Sequence, residues 1–147
     1  MQFSEARIGR VFVMRLEDGE RLPEVIEAFA QEHQVESGMV IMLGGVGDGS
    51  RMVVGPERES GRGVIPLVHV LAGIQEILAV GTLFPDESGS PMLHMHGATG
   101  REGGAAVGCT RAGMQVWLVG EVILLEIMGS GGVRRKDPQT GFQLLQF

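Results

Sequence analysis

The sequence predicts an α+β domain built on a mainly antiparallel β-sheet, with one main amphipathic helix at about residues 22–34. Only one segment has apolar residues at helical spacing, and the apolar runs after it are short and separated by turn signals. The 24 glycines are spread between those runs, which is typical of many tight turns between strands. The chain has 147 residues, 44% of them hydrophobic, and fits a single domain over residues 1–147 with a sizeable core.

The first two elements are a strand and the helix. Residues 10–16 alternate in part between apolar and polar, which predicts a strand that ends at a turn at residues 18–19. One helical face then collects Leu22, Val25, Ile26, Phe29, Ala30 and His33. Pro23 suits the first helical turn, and the helix is expected to end before Ser37.

The remainder of the chain predicts strands. They lie at residues 39–43, 51–54, 67–71, 75–84, 92–98, 105–110 and 115–128, with an edge strand in the tail at 142–147. Residues 56–63 and 85–91 are predicted loops. One helix covers little of such a sheet, so we expect part of its surface to be buried against other subunits of a homo-oligomer.

Composition and charge make some classes of function less compatible with this chain. The net charge of −6 disfavours general binding of nucleic acid, which depends on Lys and Arg neutralising phosphates. No apolar run reaches the roughly 18–20 residues of a membrane span, and the first residues lack a signal-peptide pattern, so no membrane partner is expected. The single cysteine excludes an intrachain disulfide and fits a reducing, cytoplasmic setting.

Two histidines two residues apart, His94 and His96, are followed by the only cysteine, Cys109. Side chains two apart in a strand share a face, so the imidazoles stand about 6–7 Å apart along the strand and can converge on one metal ion. If Glu102-Gly103 is the centre of a hairpin, Cys109 lies opposite His96 and diagonal to His94. Two imidazoles and a thiolate are a set that zinc favours, so the sequence predicts a site for zinc or a similar divalent metal.

This site depends on the hairpin register, since a slip of one residue moves Cys109 to the opposite face. The alternative without a metal is two histidines on a half-buried strand and an apolar core cysteine. A cupin-type site would need a later histidine, and His96 is the last of four. A covalent enzyme with Cys109 as nucleophile would need an oxyanion site, which nothing in the sequence marks.

Several other residues with charged or potentially reactive side chains have both a functional and a structural interpretation. Glu76 and Glu121 lie inside apolar runs and either face solvent or an interface, or are buried carboxylates that need a partner or lie near the metal. His69 is interpreted as a packed strand histidine rather than a ligand. The basic cluster Arg134-Arg135-Lys136 is interpreted as a solvated surface turn. Residues 44–49 lack the Lys-Ser/Thr of a phosphate loop and are interpreted as a tight turn between strands.

A strand and an amphipathic helix are followed by six characteristic segments. In order they are Ser37-Gly38-Met39-Val40, Gly44-Gly45-Val46-Gly47, Gln75-Glu76-Ile77-Leu78-Ala79-Val80-Gly81, Leu93-His94-Met95-His96, Val107-Gly108-Cys109 and Gly120-Glu121-Val122-Ile123. Their order and spacing resemble the plant-and-prokaryote-conserved (PPC) domain family over nearly the whole chain. The resemblance implies an α+β sheet domain that assembles as a homotrimer.

The resemblance also bears on the metal site. Bacterial and archaeal members commonly have an HxH pair followed by GGH on the next strand, a set that can hold a metal. His94 and His96 match the pair, and Cys109 stands where the third histidine would be. The leading hypothesis is a trimeric PPC-like domain that binds zinc or a similar divalent metal through these three residues, with no reaction assigned.

A second hypothesis of another class also follows from the resemblance. In plants the domain is joined to AT-hook segments in DNA-binding nuclear proteins, and prokaryotic stand-alone members often carry a provisional DNA-binding label. This chain lacks the Arg-Gly-Arg-Pro core of the hook and has only the fragment Gly61-Arg62-Gly63. The alternative is therefore a DNA-associated, transcription-regulatory assembly module without catalysis. It predicts a contiguous basic surface that comprises Arg51, Arg58, Arg62 and Arg134 to Lys136.

Overall fold

Strands make up most of the chain. The computed structural model describes residues 1–60 and 63–147. Its strands are β1 (Arg7–Glu17), β2 (Arg21–Leu22), β3 (Gly38–Val46), β4 (Arg51–Ser60), β5 (Gly63–Val70), β6 (Gln75–Pro85), β7 (Pro91–Arg101), β8 (Gly104–Cys109), β9 (Met114–Met128), β10 (Val133–Lys136) and β11 (Gln143–Gln146). The helix α1 spans Glu24–Glu32, and a short 3₁₀ helix spans Thr110–Ala112. Neither helix in this described part of the chain has the length and apolar content of a membrane span.

Eight of these strands follow one another across a single sheet. Their order is β1-β9-β3-β6-β7-β8-β4-β5, and every pairing along it is antiparallel. The short strand β2 pairs with β9, and β10 pairs with β11 as a separate two-stranded sheet. The predicted mainly antiparallel sheet with one main helix is confirmed.

The helix α1 covers one face of this sheet. Its apolar side buries Ile26 and Ala30, and Phe29 packs edge-to-face on Phe12 of β1 with ring centroids 5.2 Å apart. The core beneath it includes Val40, Met42, Met52, Ile77, Leu83, Leu93, Met95, Val122 and Leu124. Successive side chains of a strand alternate between faces, so the histidines that flank Met95 in β7 point away from this core.

The opposite face of the sheet carries a continuous apolar row. Direct cross-strand partners run from β1 to β4 through Val13, Ile123, Ile41, Val80, His96, Cys109 and Val53. Cross-strand partners share a face, so this row includes two of the predicted metal ligands, His96 and Cys109, and ends at Val53. Many large side chains of this face are exposed, among them Val13 at 80%, Leu78 at 60% and Val107 at 65%. We call the surface formed by Val13, Leu43, Leu78, Val80, Val107 and Ile123 the open face.

The predicted loop at residues 56–63 is wrong. Strand β4 extends to Ser60 and β5 begins at Gly63, and these two residues pair with each other, while residues 61 and 62 lie outside the described part. Pro56 and Pro66 oppose each other between two register irregularities of the pair. Among the described residues, Val53 with Cys109 is the pairing between β4 and β8, and a proline is tolerated where one side of a strand needs no ladder hydrogen bond.

Two further segments differ from the prediction. The helix spans Glu24–Glu32 rather than residues 22–34, because Leu22 pairs with Met114 in β2. The basic cluster at residues 134–136 is part of strand β10 rather than a surface turn. Its partner β11 confirms the strand predicted in the tail.

Candidate metal centre

The hairpin of β7 and β8 has the register that the metal-site prediction requires. Glu102 and Gly103 form its two-residue turn, with φ angles of 52° and 81°. Two consecutive positive φ angles are typical of the type I′ turn, whose twist matches that of the flanking strands. The ladder then pairs Arg101 with Gly104 and, at its far end, His96 with Cys109.

The three predicted ligands lie together on the face of the sheet that α1 does not cover. The ligand atoms of His94, His96 and Cys109 all lie within 4.8 Å of one another. The two Nε2 atoms are 3.1 Å apart, and the imidazole planes are nearly perpendicular at 83°. Two nitrogens on one tetrahedral zinc ion are separated by about 3.3 Å, so the histidine pair fits a shared ion. Cys109 is 3% exposed, while both histidines are open to the cleft beside them.

Gly108 lets β4 approach the backbone of β8 next to Cys109. A Cβ atom at this position would lie 2.5 Å from the carbonyl oxygen of Val53 and 3.0 Å from its carbonyl carbon. Both atoms belong to the backbone, so only the absence of a side chain permits the contact. The approach allows Val53 to pair with Cys109, which therefore has Val53 and His96 as its cross-strand partners on its two sides.

Beyond the end of β8, two backbone groups of β7 form hydrogen bonds with side chains of other elements instead of with a neighbouring strand. Oε1 of Glu27, in α1, accepts a hydrogen bond from the backbone N–H of Leu93 at 2.8 Å. The hydroxyl of Thr110 donates to the carbonyl oxygen of Met95 at 3.2 Å. Burial raises the pKa of Glu27, the Leu93 N–H opposes that shift, and the neighbouring Glu24 adds to it. These contacts fix the strand that carries the two histidines.

The surroundings of the histidine pair are electropositive. The pKa of His94 is lowered first by burial and then by the charges of Arg134, His96 and Arg111. Arg134 is 4% exposed, so its interpretation as part of a solvated turn is wrong. It lies on β10, which sits beside the end of β6 through a bridge to Asp86. Burial lowers the pKa of Arg134, and Cys109 partly offsets this shift.

A cleft of about 830 Å³ opens beside the three ligands. The polar side chains that line it are Glu27, His94, His96, Cys109, Arg111, Arg134 and Gln143. Its walls are mostly apolar and include Val53, Val54, Val64, Pro66, Val107 and Leu144. A cleft of this size with a few convergent polar groups is typical of a small-molecule site.

The remaining predicted site residues lie elsewhere. Glu76 and Glu121 are exposed, so they match the interpretation of carboxylates facing solvent or an interface and not that of buried groups. Neither belongs to the cluster of His94, His96 and Cys109. His69 is exposed as well, so its interpretation as a packed histidine is wrong. It lies on β5, the edge strand of the sheet, where residues 64–70 are all exposed.

The predicted basic surface is interrupted. Arg51, Arg135 and Lys136 are exposed, but Arg134 is buried. Arg62 lies outside the described residues, and nothing is described of the Arg58 side chain. Within the described part of the chain, therefore, the structure does not join these residues into one surface.

Comparisons with known proteins agree with this geometry. The family model described as the Plants and Prokaryotes Conserved (PCC) domain matches residues 3–128. A metal-containing protein from Archaeoglobus fulgidus is 25% identical, with a TM-score of 0.83 and full coverage of both chains. A plant- and prokaryote-conserved protein from Pyrococcus horikoshii is 22% identical, with a TM-score of 0.81 and full coverage of both.

A third similar structure carries a provisional DNA-binding name. This protein, from Ralstonia eutropha, is 20% identical with a TM-score of 0.73, over 92% of this chain and 90% of its own. A comparison with curated proteins finds no match.

Proposed function

The chain belongs to the Plants and Prokaryotes Conserved domain family, and we propose that it binds a divalent metal, zinc, through His94, His96 and Cys109. The observation that carries the proposal is the convergence of the three ligand atoms within 4.8 Å of one another. The metal-containing name of the Archaeoglobus fulgidus protein supports it. A thiolate ligand must stay reduced, so we place the protein in the cytoplasm.

Zinc suits this donor set better than a hard cation does. Two imidazole nitrogens and one thiolate sulfur are borderline and soft ligands, whereas magnesium and calcium prefer oxygen. Three protein ligands would leave a tetrahedral zinc ion one position for water or another ligand, and all three residues line the cleft. When bound, zinc would supply a Lewis acid at that position. This chain's residues hold the ion and shape the cleft, and we assign no reaction to them.

Metal content per chain tests this function directly. Protein purified without chelators or a histidine tag is loaded with zinc, freed of excess metal and measured by mass spectrometry. We expect close to one zinc per chain in the wild type and a clear loss in Cys109→Ala and His94→Ala. His69→Ala is the matched control, because His69 is exposed and outside the cluster. Absence of zinc from the wild type, or equal zinc in the His94 and His69 variants, would overturn the proposal.

We propose in addition that further copies of the chain cover the open face in the trimer that the family resemblance implies. Val13, Val80 and Ile123 are partners along one cross-strand row, and all three are exposed. Contiguous apolar surfaces of this kind mark interaction sites. Sedimentation equilibrium should give three times the chain mass of 15.7 kDa, and a monomer at micromolar concentration would contradict assembly.

The alternative function is a DNA-associated assembly module without catalysis. The provisional name of the Ralstonia eutropha protein favours it, whereas the net charge of −6 and the burial of Arg134 count against it. A gel shift with duplex DNA at low and at moderate salt tests the alternative. A complex at low salt that weakens steeply as salt rises would support it, and no shift even at low salt would remove it.

A further inference from the structure

Arg134 is a buried cation without a carboxylate partner in the described structure. It is 4% exposed, and its Nη2 donates to the carbonyl oxygen and the hydroxyl of Thr82 at 3.2 and 2.8 Å. Its Nε has no hydrogen-bond acceptor among the described residues. The carboxylate ion pairs found there use Arg10, Arg15 and Arg101 instead. Burial of an unpaired guanidinium is costly, so a functional anion is the natural partner of this group.

The described residues offer little negative charge to Arg134 once a metal is bound. Cys109 is the acidic group whose charge acts on it. A divalent ion bound to that sulfur more than offsets the thiolate charge, and Arg111 adds another cation to the same cleft. The carboxylate in the cleft, Glu27, is hydrogen-bonded to the N–H of Leu93. With zinc present the formal charges of these groups sum to a positive value.

The walls of the cleft indicate the chemical character of the part of the ligand that does not contact Arg134. Val53, Val54, Val64 and Pro66 present apolar surface along the volume of about 830 Å³. A purely inorganic anion would leave most of this surface in contact with water. A ligand with an apolar body and one anionic end satisfies both the walls and Arg134.

We propose that the cleft binds a small organic carboxylate, with its carboxylate on Arg134 beside the metal and its apolar body along the walls. The planar guanidinium fork matches carboxylate geometry, and its buried Nε–H has no acceptor among the described residues. The inference rests on the proposed function for the placement of the ligand beside the metal. The pairing with Arg134 stands on the burial of that residue alone.

Calorimetric titration with octanoate as the probe tests this inference on the zinc-treated full chain. We expect octanoate to bind the wild type and octanamide, its neutral analogue, to bind at least about tenfold more weakly, since charged hydrogen bonds are lost. Arg134→Gln should weaken octanoate binding by at least about tenfold. Arg135→Gln should leave it unchanged, because Arg135 is exposed and does not line the cleft.

Several outcomes would overturn the inference. They are no octanoate binding by wild-type protein at millimolar concentration, equal binding of octanoate and octanamide, or equal octanoate affinity in the wild type and Arg134→Gln. If Arg134→Gln does not fold, the comparison of octanoate with octanamide on the wild type decides whether binding depends on charge. Arg111→Gln is then measured beside it as a variant that removes a cation from the cleft. Zinc content is measured on the same samples. If the wild type takes up zinc but shows no charge-dependent octanoate binding, the carboxylate inference fails and the metal function stands. If octanoate binds and the protein takes up no zinc, the metal function fails and the pairing of the carboxylate with Arg134 stands.

Discussion

Substitution of Gly108 by alanine should destabilise the protein and disturb the cysteine side of the proposed metal centre. The added Cβ would lie 2.5 Å from the carbonyl oxygen of Val53, 3.0 Å from its carbonyl carbon and 3.2 Å from Cγ1 of Val54. The two closest atoms are backbone, so relief requires separation of β4 from β8 rather than a rotamer change. That separation displaces Val53 from Cys109, its direct partner.

The expected magnitude follows from the size of the overlap. Overpacking of a well-packed site costs about 1–3 kcal/mol, and for a chain of 147 residues each kcal/mol lowers the melting temperature by about 2–4 °C. Gly108→Ala should therefore melt about 2–12 °C below the wild type. Zinc affinity should fall too, because the sulfur moves relative to the two imidazole nitrogens while its chemistry is unchanged.

Gly100→Ala in the same hairpin is the matched control. A Cβ at Gly100 would have its nearest neighbour, the carbonyl oxygen of Gly104, at an ordinary 3.7 Å. This variant should melt at or slightly above the wild-type temperature, since alanine restricts the unfolded chain. Circular dichroism melts at one protein concentration and zinc competition with a chelating dye measure both effects. Equal melting temperatures for the two variants would refute the close approach of β4 and β8 as a constraint on the site.

Three further predictions concern an ion pair, the open face and the thiol. The hydrogen bonds from Arg10 lower the pKa of Glu126 from 4.5 to about 2, so the pair stabilises the fold above pH 4.5 and loses this contribution as the pH falls towards 2. In Glu126→Gln the urea midpoint should fall less steeply than in the wild type as the pH is lowered from 4.5 towards 2. The same pH dependence in both proteins would contradict a stabilising role of the pair. Val80→Asp, on the open face, should reduce the sedimenting mass below that of the wild type, whereas Ala28→Asp on the exposed side of α1 should not. A trimer that persists in Val80→Asp would count against assembly through this face. Bound zinc should slow the modification of Cys109 by a maleimide, and equal rates with zinc and with chelator would argue against a sulfur ligand.

The sequence predicts the cluster of His94, His96 and Cys109 because the features that bring these residues together are local. His94 and His96 share a face by strand alternation, and the turn at Glu102-Gly103 sets the register that brings Cys109 opposite His96. These residues lie within a single hairpin, where turn type and side-chain period decide which residues meet. The helix is predicted for the same reason, since its apolar spacing lies within one short segment. The single-domain organisation stays a prediction.

The electropositive part of the cleft cannot be predicted in this way. Arg134 stands in a run of three basic residues, which in most proteins is solvated, and only the strand β10 turns this one side chain inward. Its partner Thr82 is 52 positions earlier in the chain. The contact of Glu27 with Leu93 spans 66 positions. Tertiary packing decides such contacts, and no period or turn signal in the sequence records them.

X-ray absorption at the zinc edge of the zinc-loaded protein tests the central claim most directly. The proposed centre predicts one sulfur at about 2.3 Å and nitrogen or oxygen ligands at about 2.0–2.1 Å, with the imidazole scattering of two histidines. In Cys109→Ser the sulfur shell should disappear while the imidazole signal stays. A wild-type spectrum with no sulfur in the first coordination shell, or with sulfur still present in Cys109→Ser, would contradict a centre built from His94, His96 and Cys109.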